Sequence, residues 1–308
     1  MVNTMINSSA YGLLIFCFLL YLPHVWVNKV ASKHTESTKI LFQFSLYVAA
    51  ISMVTGLLLV LVERERFSFD FVTVGTALLF GIISAICSIS TFYAFRVTSV
   101  AVVNMSATSS VIIPCIVGML FFHESVSVGK ILGVALFLIA AYCITTSKNK
   151  DDKRFTWKSL LACIVVFLTS GVGSIAIQLF SRYSEGVSDS LFMFYSYVFN
   201  SLILLIFVFV LSKKESGKQH LENSSKDIRF SKKLVLLGII ISVITFALQQ
   251  INVVLANEIP SAILFPVLKS GSLIFGAGVG WAIFKEKLSV KNMIGLVLCI
   301  GALVVLNL

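Results

Sequence analysis

Of the chain's 308 residues, 58% are apolar and only 12% are Asp, Glu, Lys or Arg, against roughly 25% charged residues in soluble domains. That composition leaves no room for a sizeable soluble domain and points to a membrane protein. The net charge of +10 comes from basic residues in loops between apolar stretches, where membrane topology accounts for it and no nucleic-acid partner is called for.

Crossing the hydrocarbon core takes about 20 mostly apolar residues. The sequence offers ten such stretches, near 9–28, 38–62, 71–95, 98–122, 126–146, 158–181, 188–211, 233–255, 259–284 and 289–307. The first lacks a Lys/Arg-rich start and a small-x-small cleavage pattern, so it is expected to stay in the mature protein. His24, after Pro23 near the end of this stretch, reads as an interfacial residue rather than a proton relay. In the second, Gln43 and Tyr47 are polar residues at cavity depth, able to orient a polar solute or to bond a neighbouring helix. The fourth carries NMSATSS at 104–110, in which Asn104, Ser106, Thr108 and Ser109 offer hydrogen bonds. Small residues of this kind also let membrane helices approach closely. Pro114 follows and can bend the helix. The turn HES with Glu124 leads into the fifth stretch, and the basic segment 147–157 (SKNKDDKRFTW) links it to the sixth.

The seventh stretch places Met193 and Tyr197 at positions matching Gln43 and Tyr47. After the polar loop 212–232, the eighth carries Gln249, Gln250 and Asn252. The ninth contains PVLKSGS at 266–272, with Lys269, Ser270 and Ser272, followed by Gly276, Gly278 and Gly280, read as a packing seam. Glu286 sits in the turn KEK before the tenth and, like Glu124, reads as a helix cap or a Lys partner at the membrane edge. All six cysteines fall inside apolar stretches without a C-x-x-C spacing, so they read as small packing residues, and neither metal nor cofactor is expected.

Lys269 is the full charge nearest the middle of any stretch, and no Asp or Glu lies within one helical turn of it. An intramembrane charge costs about 2.5–3.5 kcal/mol on insertion scales and normally faces a cavity. Three readings stand: an ammonium that binds an anionic group of a solute, a site that gains and loses a proton during a cycle, or a lysine satisfied by carbonyls and hydroxyls of adjacent helices. The first set of candidate solute-binding residues is Lys269, Asn104, Thr108, Ser270, Ser272, Tyr47, Tyr197, Gln43, Gln249 and Gln250.

Counted by side, nineteen basic residues follow the odd-numbered stretches, while the other side holds four: Arg64, Arg66, Lys130 and Arg182. The cytoplasmic side carries the Lys/Arg excess, so both termini are expected outside.

The chain also repeats itself. LFQFSLYV at 41–48 matches LFMFYSYV at 191–198 in five of eight positions, and 122–140 matches 284–302 in seven of nineteen, pairing Glu124 with Glu286, Ser127 with Ser289 and Gly133 with Gly295. Two five-helix units are expected, 1–146 and 158–308, joined by 147–157. Since five is odd, the second unit enters the membrane inverted. The expected fold class is therefore an all-α membrane protein of ten transmembrane helices in two inverted five-helix repeats around a central cavity.

The copied segments FFHESVSVGKILGVALFLIAA and IFKEKLSVKNMIGLVLCIGAL resemble the EamA-type repeat of the drug/metabolite transporter superfamily. The resemblance implies a ten-helix carrier working by alternating access, with export as its direction. It also implies cytoplasmic termini in many relatives, the reverse of the charge count. No nucleophile–base constellation, metal cluster or phosphate-cradling glycine loop is present in the sequence, so an enzyme is not expected. The leading expectation is a secondary transporter in the bacterial inner or plasma membrane for a small polar metabolite, anionic or zwitterionic, such as an amino or organic acid. Its partners are the solute, the lipid bilayer and a proton or counter-solute gradient. The competing readings are a multidrug efflux carrier, disfavoured because no carboxylate lies deep in any stretch; a flippase for a lipid-linked intermediate, with Lys269 on the headgroup phosphate; and a non-transporting scaffold.

Overall fold

The structure, a computed structural model, describes residues 8–35, 37–121, 129, 132–133, 135–136, 139–140, 156–184, 186–216, 231–259, 261–285 and 290–306. Glu124, Glu286, most of the two polar loops and the side chain of Ser270 lie outside the described residues.

The described residues form helices, with no strand among them. In chain order these are α1 (Ser8–His34), α2 (Thr38–Val62), α3 (Phe71–Val97), α4 (Val100–Ser109), α5 (Ile112–Phe121), α6 (Trp157–Tyr183), α7 (Asp189–Ser216), α8 (Lys232–Glu258), α9 (Ser261–Ala282) and α10 (Val290–Leu306). Six of them, α1, α2, α3, α6, α7 and α8, are long and apolar enough to cross a membrane. Large apolar side chains lie on the outer surface; Leu58 is 57% exposed, Leu205 53% and Val297 66%. Such a surface suits lipid and not water, and the protein is a multi-pass membrane protein.

Local chemistry sets the helix ends. Ser37, Asp70, Thr156 and Ser231 each accept a hydrogen bond from a backbone N–H in the first turn of α2, α3, α6 and α8, satisfying donors that the helix itself leaves open. The fourth stretch, expected as one span, is two helices. Pro114 has no N–H to give to the carbonyl of Ser110, four residues back. There the chain tightens instead, with Val111 N–H donating to Thr108 O at 3.1 Å and Ile113 N–H to Ser110 O at 3.0 Å.

Packing brings α3 against α6 and α7, α2 against α7 and α8, α1 against α8 and α9, and α9 against α4 and α5. Between α3, α6 and α7 the rings of Phe180 and Phe192 stack at 4.0 Å, with Phe80 6.0 Å from Phe192. Gly81 makes this contact close, since a Cβ there would lie 2.7 Å from Phe199 Cβ and 2.8 Å from the Ser196 carbonyl.

At the end of the bundle where α1 and α3 terminate, Lys29 is buried. Its ammonium donates to the carbonyls of Phe95 at 2.7 Å and Thr98 at 2.9 Å. Arg96 returns a bond from its guanidinium to Thr35 O at 2.9 Å. Carbonyls at a helix C-terminus carry partial negative charge, so these cations tie α1 to α3 through backbone oxygens.

Candidate functional site

Six helices, α1, α3, α4, α6, α8 and α9, enclose a central cavity of about 210 Å3. Lys269 lines it from α9 together with Ser272. Among the described residues, none forms a hydrogen bond or ion pair with the Lys269 ammonium. The main chain of Lys269 is held from the adjoining helix, where Thr108 on α4 donates its hydroxyl to the Lys269 carbonyl at 3.3 Å.

Asn104 lines the cavity one turn before Thr108. Its amide nitrogen is buried without a partner among the described residues and lies against Gly276, where a Cβ would displace it. Gly276, expected as part of a packing seam, thus makes room for a cavity side chain. From α8 come Thr245, Gln249 and Asn252, with Asn252 donating to the Gln249 side-chain oxygen at 3.1 Å. Gln249 and Asn252 stand one turn apart on one face, which fixes both amides.

Of the ten candidate solute-binding residues read from the sequence, Lys269, Ser272, Asn104 and Gln249 meet at this cavity. Thr108 stands behind it as the tether of Lys269. The others take different positions. Tyr47 packs its ring over Gly238 and donates to Val235 O at 3.4 Å. Tyr197 is buried with its ring 5.7 Å from that of Phe246. Gln43 is half-buried on α2, which contributes no residue to the lining. The Gln250 side-chain oxygen is buried with no partner among the described residues.

His24, expected at the membrane interface, lines the cavity, as does Tyr21 one turn earlier on α1. By hydropathy the first stretch ends near residue 28, whereas α1 continues to His34. Its last turns are held by Lys29 on α3 carbonyls and by Ser32 and Thr35 hydroxyls on backbone oxygens. Sequence reasoning also passed over Ser84, Cys87 and Thr91 on α3 and Thr169, Ser170 and Ser174 on α6, all of which line the cavity. The spacing of three or four residues in Ser84, Cys87 and Thr91, and of four in Ser170 and Ser174, was the available signal, because it puts each set on one helical face.

Apolar helices around a cation-bearing chamber are an arrangement that suits a membrane carrier. Residues 157–308, just under half of the chain, match the model of the EamA-like transporter family. An uncharacterized protein of Haemophilus influenzae is 24% identical over 196 residues, covering 63% of this chain and 62% of that protein. The match therefore spans less than two thirds of the relative's length. A protein of known crystal structure shares the fold, with a TM-score of 0.61 over 95% of this chain and 98% of its own at 12% identity.

Proposed function

We propose that the chain is a secondary carrier that exports a small organic anion or zwitterion by alternating access, with Lys269 as the group that holds the cargo's negative charge. The observation that carries this reading is the position of Lys269 on the cavity wall, facing a lining in which no described residue is Asp or Glu. In a low-dielectric site an unpaired ammonium attracts an anion far more strongly than it would in water. The same lining argues against lipophilic cations as cargo, which call for a membrane carboxylate. Asn104, Ser272 and Gln249 supply hydrogen bonds around the charge.

The architecture proposed for this work is ten spans in two inverted units, 1–146 and 158–308, joined by 147–157. Helix packing supports it. Exchanging each helix with its counterpart in the other unit turns the α3–α6 contact into α8–α1, α3–α7 into α8–α2, and α4–α6 into α9–α1, and all six contacts exist. Both termini lie outside the cell membrane in this arrangement, and a proton or counter-solute gradient drives the cycle.

The test is flux of lactate, alanine and tetraethylammonium in proteoliposomes holding the wild type or Lys269→Ala. Flux of lactate or alanine that Lys269→Ala abolishes is expected. Flux of tetraethylammonium alone, or anion flux that survives the substitution, would overturn the reading.

A further inference from the structure

His24 brings a second nitrogen base to the cavity, and Thr245 faces it from α8. Its Nε2 stands 3.2 Å from the Thr245 hydroxyl oxygen. A neutral imidazole has one N–H and one acceptor nitrogen. If Nε2 accepts the hydroxyl proton, the N–H on Nδ1 stays unused by this pair; if Nε2–H donates, the hydroxyl hydrogen does. Either tautomer leaves the pair one donor for an oxygen of the cargo.

The depth of His24 relative to Lys269 follows from how α1 lies on α9. Phe18 meets Gly271 and its ring is 6.4 Å from that of Phe275, while Lys33 lies over the Phe284 ring at 5.0 Å. The two helices therefore run in the same direction, and interpolation puts His24 level with about residue 277 of α9, roughly 12 Å beyond Lys269 at 1.5 Å per residue. Both residues line the one cavity, so it presents an ammonium and a neutral donor pair at levels roughly 12 Å apart along the helices, a spacing that suits a solute with an acidic group at each end. Asn104, Ser170 and Gln249 line the cavity as well. An ammonium on the cargo would find no carboxylate among the described lining residues.

We propose that His24 and Thr245 form a second cargo contact and that the cargo is a short dicarboxylic acid, with one carboxyl group on Lys269 and the other on the His24–Thr245 pair. This rests on the reading of Lys269 as the anion site. It goes further by excluding zwitterions and by requiring two acidic ends.

The experiment measures flux of succinate, propionate and alanine in proteoliposomes holding the wild type, His24→Ala, His24→Gln or Lys269→Ala, with thermal midpoints of all four. The wild type is expected to prefer succinate over both other solutes. Lys269→Ala should lose succinate and propionate together. His24→Ala should lower the succinate-to-propionate flux ratio about tenfold or more, the worth of a hydrogen bond to a charged group. His24→Gln keeps an N–H donor and should restore part of that ratio, which separates loss of a contact from loss of the fold. A wild type without succinate preference overturns the proposal. So does a ratio unchanged in His24→Ala, or an equal fall for both acids in His24→Ala and His24→Gln. Loss of flux in Lys269→Ala with an unchanged ratio in His24→Ala sinks this inference alone; anion flux surviving Lys269→Ala sinks the anion-site reading beneath it.

Discussion

The hydroxyl of Thr108 on α4 donates to the main-chain carbonyl of Lys269 on α9, so the helix that breaks at Pro114 is fastened to the residue that carries the cavity's ammonium. Interhelical hydrogen bonds in membranes average about 0.6 kcal/mol. Thr108→Val keeps the shape and removes the donor. It should lower stability by about 0.6 kcal/mol, read as a small drop in thermal midpoint in detergent. Because the cation remains, the preference for anionic over cationic solutes should persist, in contrast to Lys269→Ala.

Lys29 holds two carbonyls at the end of α3, and Lys29→Met leaves both without their donor. Hydrogen bonds to charged groups contribute about 1.5–3 kcal/mol, so unfolding should be easier by at least about 2 kcal/mol. Lys29→Arg, which keeps charge and donors, should recover part of the loss in the same melting experiment.

Gly81 and Gly75 stand six residues apart on α3 and predict opposite outcomes. A Cβ at Gly81 would meet the backbone of α7 at Ser196 and Asn200, whereas one at Gly75 meets nothing within 4 Å. Gly81→Ala should destabilise by about 1–3 kcal/mol through overpacking. Gly75→Ala should be neutral or stabilise by up to about 1 kcal/mol through helix propensity. Thermal midpoints of the two variants in one detergent check both signs.

Gly276→Ala pushes against the Asn104 side chain rather than against backbone. Asn104 can move into the cavity, so the fold should survive while solute flux falls several-fold. Comparing melting temperature with transport rate separates these effects.

Charge distribution predicts an external C-terminus. A C-terminal alkaline phosphatase fusion should be active, and a fluorescent reporter that matures only in the cytoplasm should stay dark. The opposite pair of results would reverse the orientation.

Much of this fold is legible in the sequence. Apolar stretches mark the long helices; Ser37, Asp70, Thr156 and Ser231 announce helix starts; Pro114 marks a weak point in the fourth stretch. Lys269 stands out because a lone cation among apolar residues has few tolerable surroundings. Tyr197 and Gln250 are different. A tyrosine or amide of this kind can reach a cavity or settle between helices, and the sequence gives both outcomes the same appearance.

Which segments leave water and where a charge must find shelter can be read from the residues alone, because the transfer of apolar and charged groups is a property of each residue. Packing between helices chooses which face of each one looks inward. Lipid and protein interior are almost equally apolar, so helix periodicity carries little sign of inside and outside. The cavity wall of His24, Thr245, Asn104 and Lys269 exists only once helices distant in the chain pack together.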